Sequence, residues 1–239
     1  MRFFVLIVFS LFATPLSALE CTEQTHNQQR YSVCTVDLTQ DKLRLFLRDD
    51  AGDVIGSFRR LKSVLVDKTL PFAMNAGMYH DDRKPVGHYV EDGEQLMRVV
   101  PNAGPGNFGM LPNGVLCLTD DTARVYETLK FVDTQPDCTH ATQSGPMLLI
   151  DGKVHPRFLP DSTFRNIRNG VGTTEDGKTA SFVISDTQVT FYELALFYRD
   201  ILGLKNALYF DGRVSKLHAP DLRRSDIGQQ MGPIVAVVE

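Results

Sequence analysis

The sequence predicts an α+β fold of mixed β-sheets with a few packed helices, on three observations. Short alternating apolar segments dominate the first half, helical apolar periodicity is confined to two segments, and a strand-helix-strand succession near the C-terminus forms one βαβ-like unit. The 239 residues, 43% hydrophobic and 23% charged, are enough for one sizeable core. No linker-like tract divides them.

Taken in order, the chain opens with Met1-Arg2 and an apolar stretch from Phe3 to Ala13, followed by Pro15-Leu16-Ser17-Ala18. A positive start, a short apolar run and small residues predict a signal peptide over residues 1–18, with residues 19–239 a single exported domain that keeps no stable membrane anchor. Export into an oxidising compartment makes disulfides the expected state of Cys21, Cys34, Cys117 and Cys138. Of the three possible connectivities, pairing neighbours closes the shortest loops. The net charge of −4 excludes bulk electrostatic attraction to nucleic acid.

Tyr31 to Val36 and Leu43 to Leu47 alternate as half-buried strands, and Ser57 is placed to cap a helix with Phe58, Leu61, Val64 and Leu65 on one face. Leu70 to Met74 predicts the strand that delivers Asn75. Phe108 to Leu111 and Val115 to Leu118 predict strands around Pro112-Asn113-Gly114, with Arg124 to Tyr126 and Pro146 to Ile150 as further strands. Ser181 to Ile184, a helix from Thr190 to Leu202 ending at Gly203, and Ala207 to Phe210 make the βαβ-like unit.

Asp211 lies just beyond the last of these strands, where α/β units commonly place their chemistry. Asp-Gly also occurs at 92, 151 and 176, and is ordinary turn chemistry, so an aspartate there is equally readable as structural. Thr190 and Glu193 form a capping box, which assigns Glu193 to the helix start. Arg165 and Arg168, with Lys153, His155 and Arg157 upstream, concentrate positive charge that suits a phosphate or carboxylate, or a solvated loop. Asn75 is readable as a sugar or phosphate ligand or as a turn residue. Adjacent His80, Asp81 and Asp82 have metal-ligand chemistry but cannot all converge on one ion. No cofactor is implied, and no metal site is assigned, although a divalent ion is not excluded. No GxSxG, HExxH or P-loop pattern occurs.

Five segments in order carry a family likeness: Asn75-Ala76-Gly77-Met78-Tyr79, Pro85-Val86-Gly87 leading to Asp92-Gly93, Ser144-Gly145-Pro146 with Leu148 to Lys153, Arg168-Asn169-Gly170-Val171-Gly172, and Phe210-Asp211-Gly212 with Ser215. Together, from about Phe72 onward, the chain resembles the phosphodiester glycosidase family, also described as the uncovering-enzyme domain. The resemblance implies hydrolysis of a sugar 1-phosphodiester, of which N-acetylglucosamine-1-phospho conjugates are one class and cell-envelope glycans another. It also implies a pocket lined by Asn75, Gly77, Arg168, Asp211, Gly212 and Ser215, with Asp211 and Arg168 catalytic. The chain departs from the family pattern at Ala76, and at Arg213-Val214 where glycines are usual. That bulk beside Asp211 keeps a second expectation open, an exported carbohydrate or cell-envelope binding protein without chemistry.

Overall fold

The computed structural model describes residues 19–239; the expected signal peptide over 1–18 lies outside the described residues. The strands are β1 (Glu20–His26), β2 (Gln29–Asp37), β3 (Leu43–Phe46), β4 (Phe72–Asn75), β5 (Tyr89–Glu91), β6 (Glu94–Met97), β7 (Gly114–Leu118), β8 (Ala123–Glu127) and β9 (His140–Ser144). They continue with β10 (Met147–Ile150), β11 (Lys153–Val154), β12 (Asn169–Thr173), β13 (Thr179–Ser185), β14 (Asn206–Tyr209), β15 (Leu217–Ala219), β16 (Arg224–Ser225) and β17 (Ile234–Val237). Three α-helices accompany them, α1 (Phe58–Val64), α2 (Thr128–Thr134) and α3 (Phe191–Leu196).

The strands form three sheets, ordered β1-β2-β13-β12-β14-β10-β11, β16-β15-β4-β17-β3 and β6-β5-β9-β7-β8. All three turn one face to a shared core, in which Phe72, Met74 and Val235 of the second sheet meet Phe182 and Leu208 of the first and Leu116 of the third. Each outer face is backed by one helix. Strand alternation explains the division: on β17, Val235 and Val237 point inward while Ile234 and Ala236 pack with Phe58 and Leu61 of α1. Phe131 of α2 covers the third sheet, and Leu194 and Ala195 of α3 cover the first.

The α+β reading therefore holds, and the βαβ-like unit is present in split form. β13 and β14 both run antiparallel to β12, which lies between them, so they are parallel to each other without touching. The capping box is also formed, with Thr190 Oγ1 accepting from Glu193 N at 3.1 Å and Glu193 Oε2 accepting from Thr190 N at 2.8 Å. After Leu196 the helix widens into a π-turn over Phe197–Ile201.

Two local expectations are corrected. Phe108 to Leu111 is a turn rather than a strand, because Asn113 Nδ2 takes the Phe108 carbonyl and Met110 N takes that of Asn107, leaving no ladder. β7 pairs with β8 and β9 instead. In α1, Ser57 does cap, accepting from Arg60 N at 3.2 Å, but Val64 is 38% exposed, while Leu65 packs against the cluster of Phe58 and Leu61. The cysteines join Cys21 to Cys34 across directly paired residues of β1 and β2, and Cys117 to Cys138 between β7 and the segment after α2. No helix among the described residues is long and apolar enough to cross a membrane.

Candidate active site

The ends of β4 and β14 meet at the seam between the first and second sheets, and one side chain joins them. Asn75 is buried at 1% exposure, and its amide donates to the Asp211 carbonyl at 2.9 Å and to Asn169 Oδ1 at 3.5 Å. Its oxygen accepts from Asn169 Nδ2 at 2.8 Å and from Lys216 N at 2.9 Å. An amide has two donors and two acceptor positions, so this one is fully spent within the protein. The neighbouring backbone completes the junction, Asp211 N donating to Ala76 O at 3.2 Å.

Asp211 differs from Asp92 and Asp151 in backbone and in surroundings. Asp92 and Asp151 have φ of 50° and 47° with glycines also at positive φ, as tight hairpin turns require. Asp211 has φ −68° and caps a single 3₁₀ turn, Gly212–Val214, by accepting from Arg213 N at 2.9 Å. The residue as a whole is 7% exposed. Burial raises its pKa above the usual carboxylate range, against the opposing pull of the Arg213 N–H and charge.

That carboxyl lies in the wall of a recess of about 260 Å³, together with Tyr79, Asp81, Arg83, Arg213 and Gln230. Tyr79 is fixed by its hydroxyl donating to Gln230 O at 2.9 Å, and Arg83 stands 5.1 Å over its ring while donating to Asp81 O at 3.0 Å. Burial, with the nearby Asp211 charge, raises the Tyr79 pKa and keeps the phenol protonated. Arg213 makes no side-chain hydrogen bond or ion pair among the described residues. Across Arg213 and Val214 lies a larger recess of about 750 Å³, walled by Gly212, Ser215 and Lys216.

Several residues marked by the family likeness stand behind this surface. Arg168 is 1% exposed, its Nε donating to Val189 O at 2.9 Å and an Nη to Phe164 O at 3.2 Å, with the Phe191 ring 3.6 Å away. Its guanidinium carbon lies 5.7 Å from the centre of the Tyr209 ring, and the Tyr209 hydroxyl abuts Gly212 so closely that a Cβ there would sit 1.7 Å from it. Arg168 is in the wall of neither recess. Gly77 likewise serves packing: a Cβ would meet Thr142 Oγ1 at 2.2 Å and Gln143 O at 2.5 Å, because the chain crosses β9 there. Ser215 donates to Ile167 O at 3.3 Å and borders the larger recess.

The upstream basic cluster disperses. Arg165 is committed to Glu193 at 2.6 Å, and His155 is buried, stacks on Phe158 and is held neutral by burial with a pKa of about 4. Among the described residues no group of His, Cys, Asp and Glu is arranged to hold a metal ion. Asp82 instead pairs with Lys84 at 3.1 Å. Of the recess residues that the sequence reading did not single out, Tyr79 stood only as the last member of the first family segment, and Arg83, Gln229 and Gln230 sit in no motif; Arg213 was visible only as a departure.

Residues 68–219 match the family model described as Phosphodiester glycosidase. The chain is 29% identical over 237 residues to the Uncharacterized protein YigE of Escherichia coli (strain K12), covering 99% of this chain and 90% of that one. Its fold is similar to the catalytic domain of zebrafish N-acetylglucosamine-1-phosphodiester alpha-N-acetylglucosaminidase, auto-inhibited by pro-peptide. The TM-score is 0.60 at 13% identity, covering 94% of this chain and 84% of that one. A hypothetical protein from Synechocystis is similar at TM-score 0.59 and 10% identity, over 92% of this chain and 61% of that one.

Proposed function

The chain belongs to the phosphodiester glycosidase family, and from that premise we propose that it hydrolyses a sugar 1-phosphodiester in the recess beside Asp211. The observation that carries this reading is the juxtaposition, in one recess, of a buried carboxyl and two guanidinium groups, Arg83 and Arg213. The reaction needs both. Water adds to the anomeric carbon, the bond from that carbon to the phosphate oxygen breaks, and the electron pair leaves with a phosphate monoester. Such a leaving group calls for charge stabilisation more than protonation, which guanidinium groups supply by paired hydrogen bonds.

In this reading the ionised Asp211 stabilises positive charge at the sugar carbon and takes the proton of the attacking water, which then passes to solvent. Arg213, with no internal partner, holds the phosphate, and Arg83 assists. Arg168, first expected to grip the phosphate, is assigned to packing against Tyr209 behind the Asp211-Gly212 turn, since its guanidinium is occupied and buried. Asn75 sets the position of Asp211 through the main chain. Tyr79 orders the opposite wall.

Export to the periplasm or outside the cell is part of the proposal, supported by the N-terminal pattern of residues 1–18 and by two disulfides. The zebrafish relative's named substrate class makes N-acetylglucosamine-1-phosphodiesters the first to try. Purified protein incubated with a panel of sugar 1-phosphodiesters is expected to release free sugar and phosphate monoester in equal amounts. Saturable binding with no sugar released would replace hydrolysis by the binding-protein reading.

A further inference from the structure

The larger recess has no part in the bond cleavage proposed above, yet it adjoins it. At about 750 Å³ it is roughly three times the Asp211 recess, and the two share Arg213, Val214 and Gln229 as a divide. Its charged lining consists of Arg213, Lys216 and Asp226. Asp226 is already satisfied: Arg224 Nη2 pairs with it at 2.9 Å, Arg224 Nε donates to both of its oxygens at 3.1 Å, and Leu217 N donates at 2.9 Å.

Lys216 is not satisfied. It is 7% exposed, and its ammonium donates to the Gln229 carbonyl without an ion pair to any carboxylate among the described residues. An ammonium has three N–H donors, so the cation of a nearly buried residue is left in the recess wall with spare hydrogen-bonding capacity and no carboxylate in ion-pair contact. Burial accordingly lowers its pKa, opposed by the more distant Asp226. Its backbone is pinned at both ends of the same residue, the N–H on Asn75 Oδ1 and the carbonyl on Asn75 N. Lys216 and Asp211 are thus positioned by one amide.

We propose that this recess is an aglycone subsite for an anion: the substrate is a sugar 1-phosphodiester whose aglycone bears a second phosphate or carboxylate group, seated on Lys216 while the scissile phosphate lies at Arg213. The proposal rests on the hydrolytic reading above and specifies its substrate class. Ile167, Val214 and the 93% exposed Ile227 give the atoms connecting the two anions an apolar surface.

The test uses three synthetic diesters of N-acetylglucosamine 1-phosphate, with ethyl, 2-phosphoethyl and 2-carboxyethyl aglycones. In the wild-type protein at least one charged diester is expected to exceed the ethyl diester in kcat/KM by about tenfold or more, the scale of one charge-assisted hydrogen bond. Lys216→Met brings that ratio to within about twofold of unity, and Lys216→Arg, which keeps the cation but changes its shape, retains part of it. The phosphate and carboxylate arms tell the two anion types apart. A wild-type ratio near one, or a ratio that survives in Lys216→Met, overturns the subsite.

If Lys216→Met does not fold, Ile227→Asp supplies a second readout from an exposed position, a negative charge at the mouth lowering the charged-to-neutral ratio several-fold; an unchanged ratio overturns the subsite. If no diester is cleaved, the hydrolytic reading fails by itself, and calorimetric titration with ethyl phosphate decides the anion site. Binding weakened about tenfold in the charge-removed variant supports it; equal or absent binding in both overturns it.

Discussion

The two ends that meet at the seam, Asn75-Ala76-Gly77 and Asp211 to Ser215, are in contact and yet opposite in character. At Asn75 the side-chain amide is fully used, making four hydrogen bonds, and Gly77 lies tightly against β9. Around Asp211 the polar groups have capacity left, with a desolvated carboxyl, an unengaged Arg213 and a Lys216 short of an anion. A saturated amide holds geometry and has nothing to offer a ligand. The proposed chemistry is placed on the side of the junction whose interactions are incomplete.

The sharpest way to break this contrast is Asp211→Asn, which preserves the acceptor for Arg213 N but removes the charge. Turnover is expected to fall by about 10²–10⁴, the range for loss of a positioned acid or base, read as initial rate of sugar release. The wild-type pH profile belongs with it. Because burial raises the Asp211 pKa and the ionised form is the working one, kcat/KM should decline on acidification at a pH above the ordinary carboxylate range.

Arg213→Met is expected next, raising KM for the diester by about 10- to 100-fold, as loss of a hydrogen bond to a charged group implies. On the saturated side, Gly77→Ala should lower stability by about 1–3 kcal/mol through overpacking against Thr142 and Gln143, measured by urea denaturation, with activity per folded molecule nearly retained. The smallest effect on the comparison comes from Cys117→Ser/Cys138→Ser. The pair is 21 residues apart, so the loss should cost about 2–4 kcal/mol of stability without touching the site.

The contrast also explains what could be read in the sequence. The strand-forming runs around Val33 and Val183 and the Thr190-Glu193 box were legible because local pattern and tertiary role agree. Phe108 to Leu111 was not, since its fate depends on Asn113 reaching back to a carbonyl five residues away. Within the site, Asn75, Gly77 and Arg168 carry the family likeness, and the sequence does not say that the Asn75 amide is spent or that the Arg168 guanidinium is buried. Tyr79 and Arg83 come into the recess only when the segment after β4 folds against Gln230. Arg213 looked like an obstruction beside Asp211. In the folded chain it is a cation on the divide between two recesses.

The most direct test of the central claim is the melting temperature of Asp211→Asn at neutral pH, taken on the same sample as its turnover. A carboxyl whose folded-state pKa is raised by burial disfavours the fold once ionised, so its contribution to stability is present at low pH and lost as pH rises through that pKa. Replacing it should leave an inactive protein that melts higher than wild type, with the advantage shrinking as the pH is lowered toward the ordinary carboxylate range. A variant that melts lower and still releases sugar would show that Asp211 serves the fold, and would contradict the account.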